Sequence, residues 1–204
     1  MNRLSILFLF GLLVVFVTSN AQKVIIGMKG GLDFSKISGK SFSSSYSPSF
    51  EAGAYTAIRI NSKWGIQTEL VYSQGIEKIN SDGMLQVVYT GGIVNSDVSS
   101  TATIGAITVP FLVTYKINNL FSLNAGPAFS ANTYTNENIF QNGQVAFKTT
   151  DLSICGGATL NLSGFDFYFR YTHGLNNINN YDNQDDWKSR RMSFGLEIPI
   201  KSFK

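Results

Sequence analysis

The chain has 204 residues, 14% of them charged, with 19 Gly, 16 Phe and a net charge of +3. That length makes one domain the default, and the composition is too apolar for disorder and too glycine-rich and charge-poor for a helical bundle. The small net charge, with no Lys/Arg cluster, excludes nucleic acid as a partner.

The N-terminus reads as a targeting segment. Asn2-Arg3 is a short positive region, Leu4 to Val17 is an apolar core, and Ser19-Asn20-Ala21 offers small residues for cleavage before Gln22. An apolar run of about 14 residues suits a signal peptide and is short for a membrane-spanning helix, which needs about 20. The expected organisation is a signal peptide over 1–21 and one β-barrel domain over 22–204. Cys155 is the only cysteine, so no internal disulfide forms, and its place on a small-residue face suggests packing.

From Val24 onward the chain alternates with a period of two, the signature of strands with two unlike faces. Ile26, Met28, Leu32 and Phe34 alternate with Gly27, Lys29, Gly31 and Asp33. The second strand, about Phe50 to Ile60, sets Phe50, Ala52, Ala54, Thr56 and Ile58 against Glu51, Gly53, Tyr55 and Arg59. The third sets Trp64, Ile66, Leu70 and Tyr72 against Gly65, Gln67, Glu69 and Ser73. The fourth carries Ile107, Val109, Phe111, Val113 and Tyr115 opposite Thr108, Pro110, Leu112, Thr114 and Lys116. The fifth carries Phe121, Leu123, Ala125 and Phe129 opposite Ser122, Asn124, Gly126 and Ala128. Pro110 and Pro127 suggest local bulges, since proline cannot donate to the ladder. The segment Asp151 to Leu175 is a hairpin turning at Ser163-Gly164, with Phe165, Phe167, Phe169 and Tyr171 on one face and Asp166, Tyr168, Arg170 and Thr172 on the other. The last strand, about Arg190 to Ile200, sets Met192, Phe194, Leu196 and Ile198 against Arg191, Ser193, Gly195 and Glu197.

Long polar connections (35–48, 80–101, 136–150 and 176–189) follow every odd strand, and short turns follow every even one before the last. This is the loop pattern of an eight-stranded antiparallel up-and-down transmembrane β-barrel. Volume sets its sidedness. An eight-stranded barrel has an interior just wide enough to be filled by side chains. Roughly five bulky apolar residues per strand would overfill it, so the bulky face must meet lipid. The aromatics agree: Trp64, Tyr115, Phe121 and Phe165 flank the short turns, and Phe34, Phe50, Tyr72, Phe129 and Tyr171 flank the long loops, as two interfacial belts require. The strand charges Lys29, Glu51, Arg59, Glu69, Lys116, Arg170 and Glu197 all fall on the small face. The expectation is a filled, polar lumen with Arg59 near Glu51 or Glu69 and Arg170 near Glu197.

Four segments carry a family resemblance: GMKGGLDFS (Gly27 to Ser35), TVPFLVTYKI (Thr108 to Ile117), NAGPAF (Asn124 to Phe129) and FRYTHGLNNI (Phe169 to Ile178). With them the chain resembles the PorT-like outer-membrane β-barrel family. The resemblance implies an outer-membrane location; some members are implicated in protein secretion and most have no assigned activity. Barrels of this kind usually end in an aromatic residue. Here Phe203 is followed by Lys204 and is out of phase with Ile198 and Ile200, which a bulge near Pro199 would reconcile.

No catalytic constellation stands out. Ser38-Gly39-Lys40-Ser41 lacks the earlier glycine of a phosphate loop, because Phe34 stands there. His173 is the only histidine, and Thr172 points to the opposite face, beyond the reach a nucleophile and base require. Asp182, Asp185 and Asp186 lack the glycine and terminal Glu of a calcium loop. The expected function is a non-enzymatic outer-membrane barrel with a structural, adhesive or assembly and secretion-accessory role, needing no cofactor and no metal. Its expected partners are membrane lipid, lipopolysaccharide and a protein at the long loops. The alternatives are a lipid-modifying outer-membrane enzyme and a soluble lipocalin-like ligand-binding barrel.

Overall fold

The computed structural model describes residues 23–39, 45–78, 101–135, 148–180 and 186–203. The expected signal peptide, Lys40-Ser41, most of the connections 80–101 and 136–150, and Asp182 and Asp185 lie outside the described residues. Eight strands follow one another: β1 (Lys23–Ser38), β2 (Ser47–Arg59), β3 (Trp64–Lys78), β4 (Thr101–Lys116), β5 (Phe121–Thr135), β6 (Thr150–Asn161), β7 (Asp166–Gly174) and β8 (Lys188–Phe203). Each pairs antiparallel with its sequence neighbour, and β8 pairs with β1 to close the barrel.

The stagger of the closed sheet can be followed residue by residue. Paired positions run Val24, Ile58, Ile66, Val113, Ala125, Gly156, Tyr171, Met192 and back to β1 at Phe34. The circuit returns ten residues beyond its start (24 to 34). With strands about 4.8 Å apart and a rise of about 3.3 Å per residue, this stagger corresponds to a tilt of roughly 40° and a backbone radius of about 8 Å. Two long side chains from opposite walls therefore meet near the axis. The outside is apolar: Met28 and Leu70 are each 59% exposed, whereas Glu69 is 2% and Asp33 0% exposed. The bulky face meets the surroundings and the small, charged face forms the interior. Leu112, Ala128 and Cys155 make a small apolar cluster there, with Cys155 Sγ 3.2 Å from the Gly126 carbonyl.

The short turns are built from local polar chemistry. Asn61 Oδ1 accepts from the backbone N–H of Lys63 (2.9 Å) and Trp64 (2.8 Å). Asn118 Oδ1 does the same for Leu120 and Phe121, both at 2.8 Å. Both are Asx turns, in which the side chain replaces a backbone acceptor. The third turn has Gly164 at φ 98°, a conformation that glycine adopts without penalty.

The prolines do not produce the bulges the sequence suggests. Around Pro110 and Pro127 the ladders skip pairs and resume in the same register, Thr68 with Phe111 then Val71 with Thr108, and Pro110 with Ala128 then Val113 with Ala125. Missing N–H groups interrupt the ladder without adding a residue. The true shifts lie at Gly105/Ala106 and at Ile26/Gly27. The second pairs Ile26 with Lys201 and Gly27 with Pro199, so Ile200 is the extra residue. That bulge restores the phase of β8 and sets Phe203 opposite Val24, exposed on the outer face.

Two expected loops are shorter than the composition suggests. Ser35 to Ser38 continue β1, and Ser47 and Pro48 begin β2. The segment 176–189 is not a freely solvated loop either. Ile178, Asn179 and Trp187 are buried. Ile178 N–H donates to the Trp187 carbonyl and Lys148 N–H to the Ile178 carbonyl, while Asn177 Oδ1 accepts from the backbone of Asn179 and Trp187. Apolar Ile178 and Trp187 fold inward because the barrel mouth offers them cover from water.

Candidate functional site

A plug of ion pairs occupies the middle of the lumen. Lys29 Nζ lies 3.0 Å from Glu51 Oε1 and 2.9 Å from Glu69 Oε2. Arg170 grips Glu69 with both terminal nitrogens, at 2.7 and 2.8 Å. This is the fork-on-carboxylate geometry that makes arginine pairs strong and directional. Gln67 Nε2 donates to Glu69 (2.8 Å) and Glu197 (3.1 Å), and Arg170 stands 3.9 Å from Glu197. The Tyr168 hydroxyl donates to Glu51, and its ring lies 3.9 Å beneath Lys29 Nζ. Two cations and three carboxylates are thus tied together by Gln67 and Tyr168, which blunt the surplus negative charge. Buried charges persist only when paired and hydrogen-bonded in this way.

Glycines on the inward face make room for the plug. A Cβ at Gly31 or Gly195 would collide with the Tyr168 hydroxyl, and one at Gly27 with the Tyr55 ring. Gly27, Gly31 and Gly195 are therefore the sockets of two buried tyrosines.

Five of the seven charges expected in the lumen meet here: Lys29, Glu51, Glu69, Arg170 and Glu197. Arg59 and Lys116 do not. Arg59 is exposed and, with Lys116, borders the cavity at the short-turn mouth. The expected pairing of Arg59 with Glu51 or Glu69 is corrected by its height in the wall. It pairs across the sheet with Lys23 and Gly65, four residues, or about 13 Å, along β2 from the partner of Glu69. Lys29 takes the place expected for Arg59. The sequence reading passed over Gln67 and Tyr168 as network members; a lone tyrosine among small residues was the available signal.

Two cavities flank the plug, and no residue borders both. The lower one, about 610 Å³, opens at the short-turn end and includes Tyr55, Gln67, Asn124 and Glu197 in its wall. The upper one, about 90 Å³, is ringed by hydroxyls such as Ser49, Ser73, Ser153 and Ser193, with Ile178 over it. Near it Arg191 Nε lies 3.6 Å from Asp33 Oδ2, and Ser189 donates to Asp151. Among the described residues no group of His, Cys, Asp and Glu is placed to hold a metal ion.

Outside, Trp64 and Tyr115 pack with ring centroids 4.7 Å apart beside the short turns, where Phe121 and Phe165 are also exposed. At the other end Phe50, Tyr72, Phe129 and Tyr171 are exposed, and Phe34 stacks on Phe194 at 5.6 Å. His173 shares the outward row of Ile154 and Arg190, whereas Thr172 borders the upper cavity. The two side chains belong to opposite faces of the wall.

A closed, staggered eight-stranded barrel with an apolar exterior, aromatic ends and paired charges inside defines a transmembrane barrel of the outer-membrane kind. The chain belongs to the outer membrane protein beta-barrel domain family, which matches residues 20–180. It is thus an outer-membrane β-barrel protein. Among solved structures, the attachment invasion locus protein Ail of Yersinia pestis, in complex with the heparin analogue sucrose octasulfate, is similar with a TM-score of 0.54. Its identity is 12%, over 88% of this chain and 99% of that one. Neisserial surface protein A is similar with a TM-score of 0.50 and 12% identity, over 86% of this chain and 97% of that one. At such identities the likeness is one of fold alone. No curated protein matches the sequence.

Proposed function

We propose that the protein is a closed, non-enzymatic outer-membrane barrel of the PorT-like kind, with its long loops outside the cell. Its structural, adhesive or assembly and secretion-accessory role is exercised by the long-loop rim. The observation that carries this reading is the plug: Glu69 is held by Lys29, Arg170 and Gln67 between two cavities with separate walls. A lumen filled this way offers neither a solute path nor the apolar cavity a lipocalin-like binder uses. The rim is left as the surface available to partners. The test is a planar-bilayer recording of the purified protein, with heat-dependent gel mobility as the check that the barrel is folded. Folded protein without steady conductance is expected. Steady conductance from folded wild-type protein refutes the closed-barrel reading.

A further inference from the structure

The cavity at the short-turn end is polar, sizeable and electrically divided. Its volume, about 610 Å³, falls in the range of small-ligand pockets. Three cations border it near the mouth: Lys23, Arg59 and Lys116. Lys23 and Arg59 are register partners on β1 and β2, on the inward alternation of Lys29 and Glu51. Like charges placed directly opposite on neighbouring strands repel. Among the described residues none of the three makes an ion pair. Asp166 is an electrostatic neighbour of Arg59, but its Oδ1 accepts from the Leu162 N–H. Lys201, also on the border, has its Nζ 4.9 Å from the Phe203 ring.

The deep end has the opposite character. It is the underside of the plug, where Gln67 and Glu197 border the cavity. Lys29 and Arg170 face Glu51, Glu69 and Glu197, so the plug carries one negative charge in surplus. Tyr55 stands at this level, with Glu197 and Asp166 as electrostatic neighbours. Asn124, 6% exposed, borders the same space, and its Oδ1 has no hydrogen-bond donor among the described residues. Tyr55 lies four residues from Arg59 on β2. At a tilt of roughly 40° the floor is therefore about 10 Å deeper than the cations. Between them, Asp166 aside, the wall carries hydroxyls and amides such as Thr114, Ser122, Thr159 and Asn161.

A ligand complementary to this field has an ammonium at one end, a carboxylate at the other and hydrogen-bonding groups between. An extended peptide covers about 3.3–3.6 Å per residue, so the span fits about three residues. We propose that this cavity binds short zwitterionic peptides of tripeptide size, amine end inward. The ammonium brings three donors to the acceptors of the floor, Glu197 foremost. Lys23, Arg59 and Lys116 take the carboxylate, the guanidinium through paired hydrogen bonds. The pocket needs a floor, so the assignment rests on the closed-barrel reading. It holds whichever side of the membrane the mouth faces.

The test titrates triglycine calorimetrically into purified, folded protein in detergent. Saturable binding with a Kd of about 1 mM or tighter is expected. N-acetyl-triglycine lacks the ammonium and triglycinamide lacks the carboxylate, and each should bind at least tenfold more weakly. The variant Arg59→Gln/Lys116→Gln, checked for folding by unboiled gel mobility, should lose triglycine affinity by a similar factor. Lys188→Gln, at the long-loop end, should not. No saturable binding to the wild type up to about 10 mM overturns the proposal whether or not the variant folds. Acetylated peptide bound as well as triglycine overturns the inward amine. Hexaglycine bound as well overturns the tripeptide span and makes the N-terminus of a longer chain the occupant. Steady conductance by folded wild-type protein fails the closed-barrel reading, whereas a non-conducting barrel blind to triglycine fails this inference alone.

Discussion

Replacing Glu69 by Gln removes the one carboxylate that both cations of the plug, Lys29 and Arg170, share. In the wild type Glu69 takes Lys29 at 2.9 Å, Arg170 at 2.7 and 2.8 Å and Gln67 at 2.8 Å. Lys29 keeps Glu51. Arg170 keeps only Glu197, at 3.9 Å, with its Nε already without a partner among the described residues. Breaking a buried ion pair by removing one partner costs about 3–5 kcal/mol, because the remaining charge stays desolvated. With a urea slope of about 2 kcal/mol per molar, Glu69→Gln should lower the unfolding midpoint by roughly 2 M. The assay is reversible urea unfolding of the refolded barrel in lipid vesicles, followed by tryptophan emission and by gel mobility. The double variant Glu69→Met/Arg170→Met removes both charges and should lose less than Glu69→Gln, since an apolar replacement leaves no orphaned guanidinium. A midpoint within about 0.3 M of wild type for Glu69→Gln, or a double variant weaker than the single one, would refute the view that the plug is a mutually dependent buried network.

Three further outcomes are expected. Gly31→Val should cost about 1–3 kcal/mol by overpacking against the Tyr168 hydroxyl and the Phe194 carbonyl; an unchanged urea midpoint would show that this wall is not a socket. Leu70→Arg places a charge on the lipid face of β3 and should destabilise the barrel in vesicles by about 2–4 kcal/mol if the site is near the midplane; no loss would mean that this face does not meet hydrocarbon. Asn118→Ala deletes two hydrogen bonds to the turn backbone and should cost about 1 kcal/mol. Asn118→Asp retains the acceptor and should cost less, which the same unfolding curves will test.

The architecture was legible because its signals are local. Alternation with a period of two marks each strand and its faces, and loop length marks which end of each strand is which. A narrow barrel cannot swallow the bulky set, so the sidedness followed from volume. Even Phe203, out of phase on paper, was reconciled by the bulge anticipated near Pro199, which proved to insert Ile200. Pro110 and Pro127 misled for a physical reason: proline deletes a donor, and a ladder can lose a bond without gaining a residue.

The contents of the lumen were legible only in part. Alternation says that Lys29, Glu69, Arg170 and Arg59 face inward, but it is silent on the height of each in the wall. Height depends on the stagger accumulated around all eight strands. That stagger brings Lys29 and Arg170 onto Glu69 across 40 and 101 residues of chain and leaves Arg59 at the mouth. It likewise seats Tyr168 over Gly31 and lines up Lys36 with Arg190, residues from the first and last strands. Period and polarity along a strand are properties of the sequence, because neighbouring residues fix them. Which side chains meet across the barrel is a property of closure, and only the tertiary structure decides it.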